Sequence, residues 1–336
     1  MIFKNVLCTT DLSDFSNMSV YYGAALARVF EATLHLCHVV DLPIVSVHGE
    51  AFTYPPDYAQ TLREDTLQQL DTLMKPLRVK WAPHVEMGAI AHTVSDLVDM
   101  TQADLVISAS HGRSGLKRLL LGSVTEQLLR SIRHPFLVVT APEKRDDDIA
   151  EQRITRNTVE NFRLKKILVG SDFSQDSANA VTYGFSLAQD FQSELHLVHV
   201  VEPFAYSDAL MPDPMTAEVR TDLDALLTGR LESLVPAEAR NWCDVKTNCL
   251  AGRPHEELVK YAVLHAVDLI ILGIRGRGLV ETLLLGSTTD RVIRRVTCPV
   301  LAVGPAADVF STRCDRMHQR TLWLRLPVNF YKTKHS

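Results

Sequence analysis

The chain is written twice. Displaced by 161 residues, it lays Lys4 on Lys165, Asp11 on Asp172, Ser13 on Ser174, Tyr22-Gly23 on Tyr183-Gly184, and His35-Leu36 with His38-Val39-Val40 on His196-Leu197 with His199-Val200-Val201. A displacement of 164 then takes over. It lays Gly88 on Gly252, Asp104 on Asp268, Gly112-Arg113 on Gly276-Arg277, Pro135 on Pro299, and Leu119-Leu120-Leu121-Gly122-Ser123 on Leu283-Leu284-Leu285-Gly286-Ser287. The change of offset is a three-residue insertion between the second and third strands of the second copy. Each copy is about 140 residues, the size of one ordinary domain and far longer than a solenoid unit, so each buries a core of its own. Positions kept in both copies carry information that a single copy would not.

Within the first copy, residues 6–10, 33–40, 78–86, 104–110 and 135–139 read as strands, and 15–31, 57–75, 89–102 and 123–133 carry apolar residues at helical spacing. The second copy repeats the strand pattern at 165–171, 193–201, 242–250, 268–273 and 299–303. Near-continuous apolar strands alternating with helices predict an α/β fold: two tandem doubly wound domains, each a five-stranded parallel sheet with helices on both faces. The expected boundaries are 1–142 and 164–305, joined by a polar linker at 143–163 that is exposed and holds at most a short helix. Residues 306–336 show no useful period and read as a tail, either frayed or docked through Leu322-Trp323-Leu324. The final strands, PFLVV and PVLAV, are apolar sheet edges, and their pairing predicts an internal pseudo-dimer, with a homodimer of whole chains left open.

Composition excludes several classes of function. With 46% hydrophobic and 22% charged residues and a net charge of -5, nothing drives binding to nucleic acid or to a membrane surface. No run of apolar residues is long enough to span a bilayer and the start lacks a signal-peptide pattern, so a cytoplasmic location is expected. The six cysteines do not match between copies and form no C-x-x-C pair, which reads as buried thiols rather than zinc or disulfides.

Ligands of an open parallel sheet bind beyond the carboxyl ends of the strands where strand order reverses. Both copies concentrate shared polar residues there: Asp11 or Asp172 after the first strand, His38-Val39 or His199-Val200 ending the second, and a glycine-bearing loop after the fourth. In the second copy that loop runs Gly273-Ile-Arg-Gly276, nine residues, then Gly286-Ser287. Glycines let backbone N–H groups approach an anion, and a helix start supplies free donors, so a phosphate ligand fits, with Arg277 and Arg113 adding charge. The competing reading is local: Ser123-x-x-Glu126 is a capping box and Ser287-x-x-Asp290 approximates one, so the serines would cap helices.

This combination resembles the ATP-binding pattern of the universal stress protein family, over about 280 of the 336 residues. The resemblance implies ATP or a related adenine nucleotide as ligand, with Mg²⁺ as its companion. It also implies a stress-response role exerted through the bound state and through a protein partner that the sequence does not name. Carried over, Asp172 and Val200 lie near the adenosine and Gly273, Gly276, Gly286 and Ser287 hold the phosphates. The first copy supplies Asp11, Val39, Gly112, Gly122 and Ser123, but has Ala109 where the pattern wants its first glycine, and the methyl is expected to crowd a phosphate.

Other signals fall away. Neither G-x-x-x-x-G-K-[ST] nor a dinucleotide fingerprint nor a G-x-S-x-G elbow is present. Strand alternation puts His35 and Cys37 on one face and His38 on the other, which disfavours a metal site. No general base is placed beside the phosphates, so the chain is read as a binder and not an enzyme, with any hydrolysis slow. Two alternatives remain on the same scaffold: a nucleotide-free interaction module, and an adenylyl-transfer enzyme.

Overall fold

A computed structural model gives the fold and describes residues 3–40, 46–47, 50–51, 56–110, 121–140, 156–202, 217–275 and 285–304. The first half runs β1 (Asn5–Thr9), α1 (Asp14–Val29), β2 (Thr33–Val40), a two-residue hairpin of β3 (Ser46–Val47) and β4 (Glu50–Ala51), α2 (Pro56–Met74), β5 (Trp81–Met87), α3 (Ile90–Thr101), β6 (Leu105–Ala109), α4 (Ser123–Ser131) and β7 (Phe136–Val139). The second half runs β8 (Lys166–Gly170), α5 (Gln175–Phe191), β9 (Glu194–Val201), α6 (Ala217–Glu232), β10 (Val245–Ala251), α7 (Pro254–Leu264), β11 (Leu269–Gly273), α8 (Ser287–Ile293) and β12 (Val300–Val303). The β3/β4 hairpin has no forerunner in the sequence pattern.

The two five-stranded sheets fuse into one of ten strands, ordered β10-β9-β8-β11-β12-β7-β6-β1-β2-β5. Every neighbouring pair is parallel except β7 and β12, which run antiparallel with Leu137 opposite Leu301 and Val138 opposite Val300. Leu137 and Leu301 are equivalent positions of the two copies, so a local two-fold axis passes between them and the seam is isologous. The expected internal pseudo-dimer is therefore present. It removes what would be the most apolar edge of each half, since Leu137 and Leu301 are 4% and 2% exposed.

Strand alternation divides the core into two layers. Val6, Cys8, Leu105 and Ile107 belong to the layer that α1, α2, α5 and α6 cover, and Leu7 and Val106 to the layer that α3, α4, α7 and α8 cover. Both layers run unbroken across the seam. Gly184 lets α5 lie flat on the sheet, because a methyl group there would run into Val169. Repeated aspartates tie strand starts together: Asp104 Oδ2 accepts the N–H groups of Lys4 and Asn5 (2.6 and 3.0 Å), and Asp268 Oδ2 those of Lys165 and Lys166 (2.7 and 2.9 Å).

The linker departs from expectation. Arg156–Asn161 forms a 3-10 turn, but Val159 and Phe162 are buried, at 2% and 9% exposure. Phe162 meets Tyr22 of α1 and Phe191 of α5 edge to face, at 5.5 and 5.7 Å between ring centroids. The end of this segment is thus a wedge between two helices and not an exposed tether. The polarity of the preceding residues hid an apolar pair that the adjoining helices cover. Residues 306–336 and their Leu322-Trp323-Leu324 lie outside the described residues.

Candidate functional site

At the carboxyl end of β1 the chain turns through Thr10, Asp11 and Leu12 into Ser13, and at the end of β8 through Ser171, Asp172, Phe173 and Ser174. Leu12 and Phe173 take φ of 63° and 61°, the left-handed region that is costly for a residue with a side chain. The same device holds both turns. The N–H of Leu12 donates to Thr10 Oγ1 (3.0 Å) and that of Phe173 to Ser171 Oγ (3.2 Å), while Asp11 and Asp172 each accept the N–H of the serine two residues on at 3.0 Å. Ser13 and Ser174 then cap α1 and α5 by accepting from the N–H of Ser16 and Ser177. His38 Nδ1 donates to the carbonyl of Thr10 (2.8 Å) and His199 Nδ1 to that of Ser171 (2.7 Å), so these histidines lock the end of the second strand to the turn. In the second half the turn is also stacked: the Phe173 ring lies 4.5 Å from His199, and the Arg230 guanidinium of α6 lies 4.3 Å from the Phe173 centroid.

The fourth-strand loops are pinched at their stems. Gly122 N–H donates to the carbonyl of Ser110 (2.7 Å) and Gly286 N–H to that of Ile274 (2.8 Å). The buried hydroxyls of Thr125 and Thr289 reach back to the last strand carbonyls, Ala109 and Gly273, at 2.7 Å each. Gly112, Arg113, Gly276 and Arg277 lie outside the described residues.

One expectation is corrected here. The helix N-caps are Gly122 and Gly286, with extended ψ near 139° and 137° and no side-chain capping bond, so Ser123 and Ser287 already stand in the first helical turn. The capping-box reading fails because the glycine, not the serine, is the last non-helical residue. Glu126 instead bonds Arg130 (2.7 Å) and Arg294 (3.3 Å). Ser123 and Ser287 are exposed at helix starts whose first N–H groups have no partner inside the helix. Gly273 has a packing reason of its own: a Cβ there would lie 2.9 Å from both the Asp176 carbonyl carbon and the Ser177 nitrogen, so its missing side chain makes room for α5. Ala109 occupies the equivalent place with both stem clamps intact.

The sheet order sets β1 between β2 and β6, and β8 between β9 and β11. Asp11, Val39, Gly122 and Ser123 therefore gather at one switch point and Asp172, Val200, Gly273, Gly286 and Ser287 at the other. Sequence reasoning missed Thr10, Ser171, Thr125 and Thr289. The signal was there, because each keeps its hydroxyl in both copies.

Away from this end, His35, His84 and His196 are structural. His35 Nδ1 and His84 Nε2 share a hydrogen bond of 3.0 Å, and burial pushes both below the ordinary histidine range. His196 is fully buried between Tyr261 and Glu194, at 2.8 Å from each, and burial likewise lowers it. Cys8, Cys37 and Cys298 are pushed up to about 12 and Cys243 to about 11 by burial, which leaves these thiols unreactive. Among the described residues no group of three His, Cys, Asp or Glu could hold a metal, and no helix is long and apolar enough to cross a membrane.

Compared with known proteins, the chain matches the model of the universal stress protein family twice, over residues 2–140 and 163–304. The chain belongs to the universal stress protein family. A universal stress protein of Mycolicibacterium smegmatis is 26% identical over 308 residues, covering 89% of this chain and 97% of that one. One from Synechocystis is 24% identical over 322 residues, with 89% and 99% covered. A universal stress protein of Methanocaldococcus jannaschii is 30% identical over 148 residues, 43% of this chain and 85% of its own length. Among solved structures, a universal stress protein from Archaeoglobus fulgidus superposes with a TM-score of 0.62 at 20% identity, covering 90% of this chain and 98% of that one. The Mycolicibacterium, Synechocystis and Archaeoglobus matches span both halves, and the Archaeoglobus structure shares the fold.

Proposed function

We propose that this universal stress protein acts in the cytoplasm as an adenine-nucleotide binder whose bound state signals to a protein partner, and that ATP is its leading ligand. The observation that carries the reading is the pinched loop stem, which in both halves delivers a glycine-capped helix start with an exposed serine to the switch point. The residues fit such a ligand. An anion would meet the first-turn N–H groups that begin at Ser123 and Ser287, since those of Gly122 and Gly286 are taken by the Ser110 and Ile274 carbonyls, and the adenosine would lie toward Asp11 and Val39 or Asp172 and Val200. Mg²⁺ would enter on the phosphates, keeping much of its water. One carboxylate oxygen of Asp11 and one of Asp172 are committed to the turn, which disfavours either as a general base and supports slow hydrolysis at most.

The test is to denature purified protein and count released nucleotide, beside a Gly276→Glu variant that blocks the second loop. The reading expects at least about one adenine nucleotide per chain, reduced in the variant while the fold persists. No release from either protein, and no ATP uptake on titration, would establish the nucleotide-free interaction module in its place. Sustained ATP turnover with an added acceptor would favour adenylyl transfer.

A further inference from the structure

The two halves share their stem clamps, and the second half adds an ion pair beside its own. In the second half Arg275, two residues beyond the end of β11, donates from Nε to Asp176 Oδ2 at 3.1 Å. Both side chains are largely withdrawn from water, at 19% and 10% exposure. Asp176 stands in the first turn of α5, against which Gly273 packs without a side chain. The start of the loop is thus fixed three times, by Thr289 on the Gly273 carbonyl, by Gly286 on the Ile274 carbonyl, and by Asp176 on Arg275. In the first half Phe15 takes the place of Asp176. It is apolar and 41% exposed, so it offers no carboxylate to anchor the loop.

We infer that Asp176 is a positioning residue that orients Arg275 as a phosphate-contacting side chain, and that this pair lets the second half prefer a nucleoside triphosphate over a monophosphate. The inference rests on the nucleotide reading of the same site. A buried pair is expensive to desolvate and its attraction roughly offsets that cost, so what this one chiefly supplies is a fixed orientation of the guanidinium. Nε takes the carboxylate and leaves the guanidinium four further N–H donors in a rigid plane, the geometry that suits phosphate oxygens. The pair carries no net charge, so Arg275 would act on a phosphate through directed N–H donors and not as an unpaired cation. The pair adds nothing toward adenosine, so its removal should be felt in proportion to the phosphates present.

Calorimetric titrations of the full chain with ATP and with AMP test this in Asp176→Asn, Asp176→Glu and Arg275→Gln. The expected result is a loss of about tenfold in affinity at one ATP site in Asp176→Asn and Arg275→Gln, with AMP affinity unchanged and partial recovery in Asp176→Glu. ATP affinity equal to wild type in both neutral variants overturns the inference. So does an equal loss for ATP and AMP, which marks a structural role alone. Wild-type protein that binds neither nucleotide sinks the nucleotide reading and the inference together, whereas wild-type binding with indifferent variants removes only the ion pair's role.

Discussion

Gly273 and Asp268, at opposite ends of β11, act in different ways. An alanine at 273 would put its methyl carbon 2.9 Å from backbone atoms of Asp176 and Ser177, and backbone cannot step aside unless α5 moves. Gly273→Ala is expected to cost about 1–3 kcal/mol, read as a lower urea midpoint at unchanged slope. Asp268→Ala strips the acceptor from the N–H groups of Lys165 and Lys166 and is expected to cost a similar 1–3 kcal/mol or so without touching the nucleotide site. A variant as stable as wild type would show those N–H groups to be satisfied by water. The repeat made Asp11, Asp172, Gly122, Gly286 and the two serines visible, because both copies keep them. It could not tell a glycine that admits a helix from one that admits a phosphate, since that depends on which residues distant in sequence arrive beside it. For the same reason Thr125 and Thr289, which brace the loop stems, passed unnoticed as ordinary helix residues.

Strands and helices were legible almost throughout, because apolar runs and helical spacing depend on neighbours a few residues away. What escaped was contact between elements. Val159 and Phe162 sit in a charge-dense stretch, yet α1 and α5 cover them, and Phe162→Ala is expected to cost about 3 kcal/mol or more by enlarging a small apolar cavity beside Phe3, Tyr22 and Leu187. A substitution costing under about 1 kcal/mol would return this segment to the status of a plain tether. The junction of β9, β10 and α7 makes a separate prediction about pH. His196 is held there by Tyr261 and Glu194, with Asn248 donating to Tyr261 and Lys246 paired to Glu194. Burial lowers the folded-state pKa of His196 below its ordinary 6.5, so the unfolded chain binds the proton more readily. That contribution to stability is full above about pH 6.5 and is lost as pH falls through the folded value. His35 and His84 act in the same direction. Urea midpoints should therefore fall on acidification from about pH 7.5 to 5.5, and His196→Gln should fall less steeply than wild type. An equal slope in the variant would remove His196 as a source of the dependence.

Across the whole molecule the decisive relation is the two-fold axis between Leu137 and Leu301. Because the seam pairs equivalent residues, either half already carries a surface complementary to itself: Leu301 would face Leu301, and Val300 would face Ala302, as β12 now faces β7. A charged network lies over the same junction, with Arg294 at the C-cap of α8 bonded to Asp290 and reaching across to Glu126 of α4. The reciprocal bridge from Arg130 is absent among the described residues; Asp290 is one methylene shorter than Glu126, and Arg130 turns to Glu126 instead. The apolar strands, and not the partly exposed charges, should then supply most of the association. Residues 164–305 expressed alone are expected to form a dimer through β12, since the edge left open is apolar and flat enough to pair. Leu301→Lys in that fragment places a charge at the axis twice over and should yield a folded monomer, while Arg294→Ala should leave the dimer in place. Sedimentation at concentrations spanning about 1 μM to 1 mM separates these outcomes. A fragment that stays monomeric across that range would mean that covalent linkage, and not self-complementarity, holds the ten strands in one sheet.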